Sequence, residues 1–240
     1  MLLKMFHRLT DAWIRHGPKQ FVRLVGKNII TLPKHTTRRL MHKSVEFDRR
    51  LGIETDNTRA LGTLGLDPRS ESTRHAVPYE ATVVSVFERA LASLPIDPHQ
   101  FTFLDYGSGK GRALILAAHS PFRQVIGVEF AQPLHKIAEE NIRKASERNV
   151  FACRDVRAIC HDALFFPAPE GPLVCYFNNP FGPPILERVI SNLLHSLRES
   201  PRPLFIIYAT PVHWGIIARS SAFELLERND KFCTFRAKES

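Results

Sequence analysis

Hydrophobic and polar positions along the chain fall into two alternating patterns. Short apolar runs recur at Phe101–Leu104, Gln124–Val128, Val156–Cys160, Leu173–Phe177 and Leu204–Ala209. Each is four to six residues long and reads as a buried strand. Between them, apolar residues recur at helical spacing. Val83, Val86, Phe87 and Ala90 predict a helix from Pro78 to about Ser93, and Ala113–Ala118 is a run of good helix formers. Leu134, Ile137, Ala138 and Ile142 follow the second strand, with Pro133 in the first turn. Ile185, Val189, Leu193, Leu194 and Leu197 predict a helix from about Pro184 to Arg198. Phe223–Glu227 and Phe232–Arg236, joined through Asn229-Asp230, predict a terminal hairpin. Strands alternating with helices predict an α/β chain with a mostly parallel sheet.

The first strand runs into Asp105-Tyr-Gly107-Ser108-Gly109-Lys110-Gly111-Arg112, ahead of a helix. Glycines there let the backbone approach a ligand with no Cβ in the way, and the helix N-terminus favours an anionic group. A phosphate-binding Walker loop would need Gly at Leu104 and Ser or Thr at Gly111. The dinucleotide fingerprint has its third glycine one residue later than this chain. What remains, Asp-x-Gly-x-Gly-x-Gly, resembles motif I of the class I S-adenosylmethionine-dependent methyltransferases.

Three further strand ends extend the pattern. Glu129 closes the second strand, 18 residues beyond Gly111, where a carboxylate can accept ribose hydroxyls. Asp162 follows the third strand and can accept an adenine amino group, or serve as a turn residue; His161 beside it reads as solvated. The fourth strand ends in Asn178-Asn179-Pro180-Phe181-Gly182. This is close to the Asp/Asn/Ser-Pro-Pro-aromatic pattern of amino-methyltransferases, though Asn179 stands where the first proline would be. An amide oxygen at Asn178 can orient a nitrogen nucleophile, and Phe181 can bound the site; the alternative is a plain turn.

Tyr79-x-x-Thr82, the glycine loop, Gly127-Val-Glu129 and Asn178-Asn179 with Phe181-Gly182-Pro183 resemble the non-SET histone-lysine methyltransferases and their bacterial relatives over roughly residues 78–185. The resemblance implies a Rossmann-like class I methyltransferase sheet, mostly parallel with a terminal antiparallel hairpin. It also implies S-adenosyl-L-methionine held by Tyr79, Thr82, Asp105, Gly107, Ser108, Gly109, Gly111, Glu129, Asp162 and Asn178, with Asn178 and Phe181 at the transfer site and no metal. A protein lysine is the acceptor that the resemblance implies. An RNA base, a small-molecule amine, and a non-catalytic cofactor-binding scaffold at a membrane surface stay open as alternatives. For a lysine, Tyr79, Phe177, Phe181 and Trp214 are the aromatics that could wall a channel; His213 reads as structural.

Charge divides the chain. Residues 1–60 hold 13 Lys and Arg against 5 Asp and Glu, so they carry +8 of the net +9. This stretch is expected to be a basic helical extension, with 61–77 a linker or lid and 78–240 the methyltransferase domain. Leu2, Phe6, Leu9 and Trp13 share one helical face. The extension could dock on the domain, touch a membrane surface through residues 1–30, or hold a polyanion. The longest strongly apolar run is too short to cross a bilayer and basic residues interrupt the early apolar ones, so a cytoplasmic protein without a signal peptide is expected. Cys153, Cys160, Cys175 and Cys233 form no Cys-x-x-Cys pair and are expected as buried free thiols.

Overall fold

In the computed structural model, residues 45–56, 58 and 61–238 are described. The helices expected within residues 1–44, and the membrane contact expected through residues 1–30, lie outside them. Among the described residues no helix is long and apolar enough to cross a membrane.

Seven strands form one sheet in the order β3-β2-β1-β4-β5-β7-β6. They are β1 (Thr102–Tyr106), β2 (Gln124–Glu129), β3 (Val156–Cys160), β4 (Leu173–Asn178), β5 (Leu204–Ala209), β6 (Phe223–Arg228) and β7 (Phe232–Ala237). The first five are parallel, and β7 enters antiparallel between β5 and β6. This is the α/β, Rossmann-like sheet with a closing hairpin that the class I resemblance implies. The main helices are α1 (Val84–Ala92), α2 (Arg112–Ala118), α3 (Gln132–Glu147), α4 (Pro183–Glu199) and α5 (Trp214–Ala218).

Strand alternation divides the core into two layers. Phe103, Val174, Tyr176, Phe205 and Ile207 face one side, where α1, α2 and α3 cover them. Leu104, Tyr106, Cys175, Phe177, Ile206 and Tyr208 face the other, under α4 and α5. With both faces covered the central strands must be apolar throughout, and β1, β4 and β5 are almost fully buried. Each large side chain buried there contributes about 1.5–3 kcal/mol.

Two expectations need correction. Helix α1 starts at Val84, not Pro78, with the carbonyl of Val83 receiving the first helical bonds. The preceding carbonyls of Glu80 and Thr82 accept instead from Asn178 and Arg112, so residues 78–83 stay out of the helix. Cys160 is exposed, because β3 is an edge strand with a half-covered face; the other three thiols are buried, and all four are free.

Residues 45–51 are helical, and Phe47, Leu51 and Ile53 join the α1–α3 layer of the core. These three side chains come from the stretch expected as a basic extension.

Candidate active site

Parallel register brings the carboxyl ends of β1, β2, β3 and β4 to one edge, since Asp105 lies opposite Gly127 and Tyr176, and Glu129 opposite Cys160. A cleft with about 870 Å³ of empty space, its mouth included, opens there. Tyr79, Thr82, Asp105, Gly107, Ser108 and Glu129 line it, as do Asp162, Asn178 and Phe181. Gly109 and Gly111 shape the loop behind that wall.

Gly107, Gly109 and Gly111 all have positive φ, of 80°, 54° and 83°. At two of them a side chain is also excluded by close approach. A Cβ on Gly107 would come within 2.4 Å of the Pro180 ring, and one on Gly109 within 2.2 Å of the Tyr79 ring. The loop is pinned to β2 by bonds from the Gly107 and Ser108 N–H groups to the Val128 carbonyl, at 2.9 and 3.1 Å. Glu129 completes the anchorage, accepting the Gly109 N–H at 2.9 Å on Oε2 and the Ala131 N–H at 2.8 Å on Oε1. Burial raises its pKa against the opposing pull of those N–H donors. Each oxygen keeps a lone pair for a ligand hydroxyl.

Asp105 has a different environment. It is 3% exposed, and no hydrogen bond or ion pair holds its carboxylate among the described residues. Burial, then the nearby charge of Glu129, pushes its pKa well above the usual carboxylate range. Ser108 Oγ is likewise buried without a partner among the described residues. Buried polar groups left this way are rare, and both residues line the cleft.

One wall comes from residues 61–77. Ser72 donates to Asp162 Oδ2 at 2.6 Å, and the Leu164 N–H donates to Asp162 Oδ1 at 2.9 Å. Ala76 bridges to Phe181, Val77 N–H donates to the Pro180 carbonyl, and Gly182 N–H donates to the His75 carbonyl. The segment thus lies across the β4 end of the cleft, and the ion pair of Glu71 with Arg188 ties it to α4.

The Asn178 end is more open. Its Nδ2 donates to the Glu80 carbonyl at 3.0 Å, and its Oδ1 accepts from the Thr210 hydroxyl at 3.3 Å. Asn179 takes a positive φ of 48° and accepts from Tyr208. Phe181 is 7% exposed and packs edge-on against Phe177. The expected aromatic channel is only partly present. Phe177 points to the opposite face of the sheet and stacks on Tyr106, and Trp214 lies under the Arg228 guanidinium. Neither lines the cleft. His161 is exposed at its rim, and His213 lies away from it, with its backbone N–H on the Tyr208 hydroxyl.

Several site residues have no recognisable signal in the sequence. Lys110 and Arg112 alternate with the glycines yet are fully buried. Lys110 reaches Glu54 at 3.0 Å and the Asp56 carbonyl at 2.7 Å. Arg112 reaches Asp48 at 3.1 Å, and its Nε donates to Thr55 Oγ1. The Tyr79 hydroxyl donates to the Thr55 carbonyl at 2.6 Å, so the ring, not the hydroxyl, faces the cleft. Basic residues flanking three glycines were the one available hint that a partner segment exists. Among the described residues no group of His, Cys, Asp or Glu could hold a metal ion.

No protein-family model matches the chain, and comparison with curated proteins gave no match. Solved structures do resemble it. An RNA methyltransferase from Salinibacter ruber, in complex with S-adenosyl-L-homocysteine, is 21% identical over 66% of this chain and 92% of its own, with a TM-score of 0.45. A ribosomal protein L11 methylase from Lactobacillus delbrueckii subsp. bulgaricus is 16% identical over 64% and 77%, at 0.44. A protein from Haemophilus influenzae is 17% identical over 64% and 99%, at 0.47.

Proposed function

We propose that this chain, whose fold is that of the class I methyltransferases, is an S-adenosylmethionine-dependent enzyme that methylates a nitrogen acceptor, with a protein lysine side chain as the leading substrate. The observation that carries the reading is the convergence of Asp105, Glu129, Asp162 and Asn178 on one cleft at the carboxyl edge of the sheet.

The residues present suit that donor. Glu129 has lone pairs for two ribose hydroxyls, and Asp162 has one for an adenine amino group beside Ala163 and Leu134. Asp105, a buried carboxylate with no cation of its own, suits the positive methionine end. When bound, the donor supplies a methyl group activated by a sulfonium. The protein's part is to hold donor and acceptor in line and exclude water, and such positioning can supply roughly 7–11 kcal/mol. The Asn178 amide is fixed by its Nδ2 donating to the Glu80 carbonyl and its Oδ1 accepting from Thr210, and that Oδ1 stands where an acceptor N–H can be oriented.

The charge balance favours an amine. Glu80, Asp105, Glu129 and Asp162 line the cleft, whereas Arg112, the one arginine there among the described residues, is ion-paired with Asp48. A lysine needs about 4 kcal/mol to reach its neutral form near neutral pH. The ring of Tyr79 and the buried Phe181 give a low-dielectric wall that lowers this cost. Lysine over other amines rests on the motif resemblance alone. Incubating the full chain with labelled donor and a cell lysate tests the reading. Label is expected in protein, as N-methylated lysine; label in RNA or in small amines would move the acceptor, and no label despite donor binding would leave a scaffold.

A further inference from the structure

Among the described residues, the positive-φ positions that are not glycine are Asn149, Asn179 and Thr210. Asparagine enters that region readily, whereas a β-branched residue there is an outlier. Thr210 has a φ of 48° and stands directly before Pro211, a place where extended backbone is the rule. Its N–H donates to the Lys231 carbonyl and its own carbonyl accepts the Val212 N–H, both at 2.8 Å, so the turn is clamped on both sides. A turn alone would be served with less strain by glycine or asparagine. What threonine adds is a hydroxyl, and that hydroxyl donates to Asn178 Oδ1 at 3.3 Å. Register brings the two together, since Asn178 lies opposite Ala209 at the ends of β4 and β5. The same strand end holds the neighbouring amide, with the Tyr208 hydroxyl donating to Asn179 Oδ1 at 3.0 Å.

We infer that Thr210 is a positioning residue for methyl transfer: its hydroxyl, presented by a strained turn at the end of β5, fixes the Asn178 oxygen that aims the acceptor nitrogen. The inference rests on the role proposed for Asn178 above. The bond from Nδ2 to the Glu80 carbonyl holds one end of that amide and leaves it able to pivot. With the hydroxyl in place, one lone pair of Oδ1 is used and the other is left for an acceptor N–H. In the transfer the acceptor nitrogen bonds to the methyl carbon, the carbon–sulfur bond breaks with its electron pair left on sulfur, and the nitrogen later gives a proton to solvent. Thr210 acts on none of these atoms directly. Strain of this kind persists only where its surroundings enforce it, and it gathers at functional sites.

The full chain with labelled S-adenosylmethionine and a cell lysate gives the rate of label transfer, and calorimetry gives donor affinity. Thr210→Val keeps the branched shape without the hydroxyl; it should lower the transfer rate by roughly three- to tenfold, the worth of one hydrogen bond, with donor affinity within about twofold. Thr210→Ser restores the hydroxyl and should bring the rate back to within about twofold of wild type. Thr210→Gly relieves the backbone, so it should melt no lower than the wild-type chain while losing rate as Thr210→Val does; it carries the test even if Thr210→Val does not fold. In an Asn178→Ala background, Thr210→Val should cost nothing more, because it acts through that amide. A wild-type rate in either hydroxyl-free variant, or the same factor lost with and without Asn178, would leave Thr210 a residue of the turn alone and overturn the inference. No label transfer by the wild-type chain would instead sink the functional reading, and this inference with it.

Discussion

The two ends of the cleft are built differently. At the end proposed to hold the donor, Asp105, Ser108 and Glu129 are each no more than 5% exposed, on central strands and a loop pinned by backbone bonds. At the end proposed for the acceptor, Asn178 and Glu80 stand at an open rim, held by bonds between residues 98 and 32 positions apart in the chain. The donor end is therefore set by the core and cannot be altered without disturbing it. The other end is set by loops from distant parts of the chain, and its side chains can change without disturbing the buried acids. Variants at the two ends should separate binding of the donor from transfer of its methyl group.

The largest separation is expected at Glu129. Glu129→Ala removes the proposed acceptor for two ribose hydroxyls and strands the Gly109 and Ala131 N–H groups that the carboxylate now satisfies. At about 1.5–3 kcal/mol per charge-assisted bond, donor affinity should fall by roughly a hundredfold or more. Calorimetry checks this, and an unchanged dissociation constant would break the contrast at its root.

Asp105→Asn should weaken the donor by roughly tenfold while making the empty protein more stable near pH 8. The sign follows from its raised pKa, caused first by burial and then by Glu129. With the folded pKa above the unfolded one, ionised Asp105 costs stability. That cost is absent below the unfolded pKa of about 3.9 and grows as pH rises toward the folded one. Thermal melts of the variant and wild type should therefore agree at about pH 4 and diverge at higher pH. A variant less stable at every pH would show that Asp105 has an internal partner.

At the acceptor end the order reverses. Asn178→Ala should leave donor affinity within about threefold, since its side chain bonds Glu80 and Thr210 and not the glycine loop, yet lower turnover by roughly tenfold or more through loss of alignment. Parallel loss of both would merge the two ends into one unit.

The geometry of the glycine-loop end was largely legible in the sequence. Strand, acid, three glycines and helix follow one another in register from Thr102 to Ala118, and the next strand delivers Glu129. The rest depended on partners far away in the chain. The helical spacing of Val83, Val86 and Phe87 carries no sign that Asn178 and Arg112 claim the carbonyls just before them. Asp48 and Thr55 look like ordinary polar residues until Arg112 is seen buried between them. Phe177 could have been excluded from the channel, because strand alternation sends it to the face opposite Asn178 and Tyr176.

The smallest effect is expected where the two ends meet. Tyr79 covers Gly109 with its ring on the donor side, while its hydroxyl hangs from the Thr55 carbonyl. Tyr79→Phe keeps the ring and removes that one bond. It should cost about 1 kcal/mol of stability, the usual net value of such a bond, with donor affinity changed less than about twofold. Tyr79→Ala opens the wall over the loop and should weaken the donor clearly more than Tyr79→Phe does. If the two variants weaken the donor equally, the hydroxyl and not the ring sets the wall. The tie to residues 48–56 would then be the part of Tyr79 on which donor binding depends.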